Sequence, residues 1–231
     1  SSASRNPDRI IVISLGDGNT WERQLDGRNL GEKEMLEQFV NILREQDPDV
    51  IEGHDLFSFV LPYLTKRCNL HTVDLTIGRD GSTIKTYQKR FYSENEQTVY
   101  ECPGRHLIDT SHLARAYDFS KRSLENYDLQ QLAEHFRIKR VHHLPKSKIS
   151  DAWEETPESV LRHSHENVSV VREVSGFLSQ SNFYLAQMCP FNYGILTELG
   201  SSARLESLMV REYLRQKHSI PQPQKGTQTV G

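Results

Sequence analysis

The chain has 231 residues, 36% of them apolar, and a formal net charge of −3. That length suits one large domain with a buried core, and the acidic balance excludes capture of nucleic acid through a global basic field. No apolar run approaches the ~20 residues needed to cross a bilayer. Residues 1–10 hold no signal-type apolar core, and the three cysteines, Cys68, Cys102 and Cys189, are too far apart to form a metal-binding pair. A reduced, cytoplasmic setting is therefore expected.

Residues 9–15 (RIIVISL) read as a strand, Asp17-Gly18-Asn19 as a turn, and 20–26 as a returning strand. Over 32–46, Met35, Leu36, Phe39, Val40 and Leu43 recur at helical spacing, and Asp47-Pro48 ends the helix. A short strand is predicted at 49–53 and a helix at 56–67, a succession that points to layered α/β architecture. Polar, alternating residues around Asp80-Gly81 predict a β-hairpin excursion over 73–101. Residues 105–109 read as a strand whose last residue, Asp109, caps the next helix. Helices are predicted at 110–117 and 124–136. Residues 157–187 form one long helix or two, opened by Thr156 and Pro157, with Gly176 as the kink. A last amphipathic helix spans 201–217, and the Pro- and Gln-rich tail from 219 reads as a linker.

The segment 47–68, DPDVIEGHDLFSFVLPYLTKRC, resembles the second exonuclease motif of the family B DNA polymerases. In that family an acidic-Pro-Asp strand runs into Gly-His-Asn, a spacer, Phe-Asp and Leu-Pro-Tyr-Leu. Residues 161–174, LRHSHENVSVVREV, resemble the third motif, a helix bearing Tyr-x-x-x-Asp. Residues 104–136 are similar to the family's connecting elements, and 208–223 to the helix and crossing that lead toward the polymerase palm. The resemblance implies an α/β, ribonuclease H-like fold: a mixed sheet flanked by helices, with a β-hairpin insertion near 73–101 and a helical C-terminal extension. The exonuclease-like domain would span 8–190 and the extension 191–218, with a linker or the start of another domain at 219–231.

The family hydrolyses DNA at a 3′ end with two divalent metals, which are held by four acidic residues because hard cations need carboxylate oxygens. Here the motifs depart from that pattern. The first motif, Asp-x-Glu, is not visible. Residues 8–15 match the segment that follows it, so either the motif lies upstream or 9–15 is that strand with its acids replaced by Ile and Ser. In the second motif His54 is retained, Asp55 stands for Asn, and Val60 stands for the metal-ligating Asp. In the third, His163 stands for Tyr and Asn167 for Asp. The superfamily branch that uses His at this place needs an acid where this chain has Val168. Glu52, Asp55 and Glu166 are the acids left nearby, and on a helix Glu166 points ~100° away from Asn167.

No catalytic residue is therefore expected to be intact and no cofactor is expected; Mg or Mn would be needed only by the alternative, an active 3′-5′ exonuclease with an atypical ligand set. The expected role is structural or single-stranded-DNA-guiding, with His54, Asp55 and Phe59 as contacts for single-stranded or primer-template DNA. The partners are polymerase domains of the same parent chain, with no membrane involved and a cytoplasmic location, nucleoid-associated in a prokaryote. A protein-interaction module is the third reading. Plainer roles are expected elsewhere: His163 and His165 at a core edge or in solvent, His142-His143 in a polar loop, Phe57 and Tyr63 in the core, and Lys121-Arg122 and Arg137 to Arg140 on a solvated face.

Overall fold

The computed structural model describes residues 9–18, 20–90, 96–119, 121–140, 142–189 and 191–220. Asn19 of the expected turn and the tail from 221 lie outside the described residues. Strands β1 (Val12–Gly16) and β2 (Glu22–Asp26) pair antiparallel, with Val12 opposite Asp26. Asp17 closes their turn by accepting from the N–H groups of Thr20 and Trp21, each at 2.9 Å. Helix α1 (Glu32–Gln46) buries the five apolar residues that its spacing predicts. Its C-terminus is held by Arg105, whose side chain is only 2% exposed. Arg105 donates to the carbonyls of Leu43, Pro48 and Ile77 at 3.4, 2.5 and 2.8 Å.

Strand β3 (Val50–Gly53) leads into a π-helical turn (Leu56–Val60) that continues as α2 (Leu61–His71). The hairpin predicted within 73–101 is formed by β4 (Lys85–Arg90) and β5 (Glu96–Glu101), antiparallel with Lys85 opposite Glu101. Strand β6 (His106–Asp109) returns parallel to β3, setting Gly53 opposite Asp109. Successive strand side chains leave on opposite faces. Leu107 therefore joins a core with Met35, Leu36, Phe39 and Leu64, and Ile108 joins a second with Leu113, Leu132, Val170 and Val174. The β3–β6 pair is thus the middle layer between two helical layers.

Helices α3 (Thr110–Asp118), α4 (Leu129–His135), α5 (Ile149–Glu155), α6 (Pro157–Met188), α7 (Tyr193–Glu198) and α8 (Ser201–Arg215) follow. The helix expected from 124 starts only at Leu129. The Asp118 carboxylate holds Ser123 and Leu124 in a turn by accepting their N–H groups at 2.6 and 3.3 Å, and Asp128 caps α4 through Gln131 N–H at 2.8 Å. Helix α6 runs unbroken through Gly176, because one glycine costs a long packed helix only about 1 kcal/mol. Among the described residues the expected mixed sheet is present as three separate pairs, two antiparallel and one parallel. The bridge from β1 to β3 is made by α6. Ser164 Oγ lies 2.7 Å from Ser14 Oγ of β1, and Ser175 Oγ donates to Glu52 Oε1 of β3 at 2.6 Å. Among the described residues no helix is long and apolar enough to cross a membrane.

Candidate functional site

The second-motif residues sit where β3 ends. Asp55 adopts the left-handed conformation (φ 52°), which turns the chain from strand to helix, and its carbonyl accepts from the N–H groups of Phe59 and Val60, both at 3.0 Å. His54 is pinned beside α3: Nδ1 lies 2.9 Å from Thr110 Oγ1, which donates to the Gly53 carbonyl at 3.2 Å. Nε2 of His54 is buried without a hydrogen-bond partner. Burial pushes the His54 pKa below the usual imidazole range, although Asp55 and Asp109 favour the charged form. Val60 packs against the first core and supplies no lone pair. Phe59 beside it is 61% exposed and stacks on Tyr63, with ring centroids 5.3 Å apart. Phe57 turns inward and stacks on Tyr100 at 5.6 Å. Tyr63, expected in the core, instead carries the outward stack.

The third-motif residues lie one turn apart on α6, and both meet the stretch that follows α4. Nδ1 of His163 accepts from Leu144 N–H at 3.1 Å and lies 3.2 Å from Arg140 Nη2. The same Nη2 donates to Asn167 Oδ1. Nδ1 of His163 also lies 3.4 Å from the His142 carbonyl and Nε2 3.4 Å from Asn167 Nδ2, so both ring nitrogens have polar neighbours. Burial lowers the His163 pKa, and the nearby Arg140 and His143 act in the same sense. Glu166 does not point away from this stretch: its Oε2 accepts from His142 N–H at 2.7 Å, because the chain wraps round the helix and meets both residues.

His163 lies at the core edge, buried and hydrogen-bonded, and His165 is in solvent with Nε2 2.6 Å from Glu22 Oε2, so these contacts correct one expectation only. Arg140 is not on a solvated face: it turns inward, half-buried, and its Nε has no hydrogen-bond partner. Burial lowers the Arg140 pKa, opposed by Glu166 and Asp128. Asp128 also favours the charged form of His54. Among the described residues no hydrogen bond or ion pair joins Asp55 or Val60 to His163 or Asn167. Nor does any group of three or more His, Cys, Asp or Glu side chains there have the geometry to hold a metal ion.

Comparison with known proteins agrees with this layout. Residues 29–132, which contain the β3-to-α2 segment, match the family described as DNA polymerase family B, exonuclease domain. The DNA polymerase of Pyrococcus glycovorans is 33% identical over 175 residues, covering 71% of this chain and 21% of that protein. The DNA polymerase of Archaeoglobus fulgidus is 26% identical over 219 residues, covering 94% of this chain and 26% of that protein. The chain thus spans about a quarter or less of the length of these relatives. A solved structure of the family B DNA polymerase from the hyperthermophilic archaeon Pyrobaculum calidifontis superposes with a TM-score of 0.79 at 18% identity, over 96% of this chain and 29% of that one. In fold and in sequence, this chain belongs to the exonuclease domains of the family B DNA polymerases.

Proposed function

We propose that this domain has lost metal-dependent 3′-5′ exonuclease chemistry and serves its polymerase as an architectural element that also guides single-stranded DNA. The observation that carries the reading is the fate of the two ligand positions. Val60 offers no lone pair, and the Asn167 carbonyl is taken by the Arg140 guanidinium. Two divalent metals demand several carboxylate oxygens around a shared site. The donor set at these positions does not fit them, and no step through a metal is assigned here. Loss of the ligands is compatible with an intact domain because both cores are apolar, and Val60 itself packs against the first of them.

The extension over 191–218 would carry the contact with the polymerase domains. The outward Leu205, Met209 and Leu214 of α8, each about three-fifths exposed, support that role. The expected DNA contact is the Phe59–Tyr63 stack, which presents an aromatic face beside the strand end.

Incubation of the full-length protein with a 5′-labelled single-stranded oligonucleotide and Mg²⁺ or Mn²⁺ tests the reading, with an active relative as control. No 3′ laddering above the protein-free rate is expected; metal-dependent laddering that disappears with Asp55→Ala would establish an atypical ligand set instead. Fluorescence anisotropy with the same oligonucleotide tests the guiding role. Phe59→Ala is expected to weaken binding about 5- to 100-fold, the range for removing one base–aromatic stack. Unchanged affinity would leave the architectural role without the DNA contact.

A further inference from the structure

We propose that Arg140 is a resident cation, its guanidinium standing where residues 163 and 167 would otherwise turn toward a divalent metal. The proposal rests on the loss of metal chemistry proposed above and adds the group that took the metal's place. One nitrogen, Nη2, reaches both Asn167 Oδ1 and His163 Nδ1, two side chains four residues apart that share a helix face. The backbone just after Arg140 is fastened to the same stretch of helix, His142 N–H to Glu166 at 2.7 Å and Leu144 N–H to His163 at 3.1 Å. Arg140 makes no ion pair among the described residues, so its direct partners are neutral.

This arrangement has a consequence that a vacated site would not share. Returning an acid to position 167 creates an arginine–carboxylate pair, because the cation is already seated there. It does not recreate a metal ligand. Asn167→Asp should therefore stabilise the protein while Arg140 is present and destabilise it once Arg140 is gone, when the new, partly buried carboxylate has lost that cation.

A double-mutant cycle in the whole chain tests this, using Arg140→Met, Asn167→Asp and the two together, followed by urea denaturation. A favourable coupling of about fivefold or more in the unfolding equilibrium constant is expected, since the acid turns a hydrogen bond to a neutral amide into a half-buried ion pair. Arg140→Gln serves the same cycle if Arg140→Met does not fold, since it removes the charge and keeps a polar donor. With either variant, coupling indistinguishable from none overturns the proposal. Mn²⁺ is expected to leave the melting temperature of the Asn167→Asp chain unchanged while Arg140 is present, and an Mn²⁺-dependent rise in that chain would also overturn it. Nuclease activity in the unaltered protein would sink the functional reading but not the coupling, so the two failures are distinguishable.

Discussion

Glu32→Gln is expected to lower the unfolding free energy at pH 7 by about 3–5 kcal/mol, the range for removing one charge of a buried ion pair. Glu32, in the first turn of α1, and Arg67, on α2, have side chains only 6% exposed. Oε1 accepts from Arg67 Nε at 2.6 Å and from Ile10 N–H at 2.8 Å; Oε2 accepts from Arg67 Nη2 and lies 3.0 Å from His71 Nε2. One carboxylate therefore ties the lead-in to β1, α1 and α2 together. The variant would remove the carboxylate charge that faces the buried Arg67 guanidinium. Burial opposes ionisation of Glu32, but hydrogen bonds from Arg67, Ile10 and His71 outweigh it and hold the pKa down to about 2 from 4.5. A folded pKa below the unfolded one means a stabilising contribution that is complete above about pH 4.5 and lost as pH falls through about 2. Urea denaturation of both proteins should therefore show the full gap at pH 7 and a smaller one by pH 3. A gap of the same size at both pH values would mean that the carboxylate charge is not what stabilises the network.

The second large effect is expected at Asp109→Ala, about 3–5 kcal/mol by denaturation. Asp109 is completely buried at the end of β6. Oδ1 accepts from Ser111 N–H at 2.9 Å and Ser111 Oγ at 2.8 Å, and Oδ2 accepts from Phe57 N–H at 3.0 Å. Removing a helix cap costs about 1 kcal/mol, and each buried donor left unpaired adds about 1–3 kcal/mol. The Phe57 bond also fixes the π-helical turn that carries Phe59 and Val60. Hydrogen exchange at the Phe57 amide should therefore rise in the variant beyond the change at amides of α1. A uniform rise would show general destabilisation without a local role for Asp109.

Much of this was legible in the sequence, for reasons that can be named. The buried face of α1 follows from apolar residues at a period of ~3.6, which no partner has to specify. The cap at Asp109 follows from a short acidic side chain at a strand-to-helix junction. The departures at Val60 and Asn167 were visible because ligand capacity belongs to the residue type itself: valine has no lone pair in any fold. The late start of α4 was not visible, since it depends on Asp118 capturing the backbone of Ser123 and Leu124.

Arg140 was the residue that sequence reasoning misplaced. Within Arg137-Ile138-Lys139-Arg140 on a net acidic chain, charge alone suggested a solvated face. A signal was present nonetheless. Ile138 is 7% exposed, and in extended chain the residue two further on shares its side, which is the inward side for Arg140.

By itself the sequence determined the apolar period of α1, the cap at Asp109 and the presence of valine and asparagine at positions 60 and 167, because each is a property of local pattern or of one side chain. Only the tertiary structure decided that β1 and β3 are bridged through α6, and that Glu166 and Asn167 meet the same stretch of chain. It alone brought a guanidinium to His163 and Asn167. Those outcomes depend on how distant segments wrap against one another, and a burial direction exists only once both surfaces are in place.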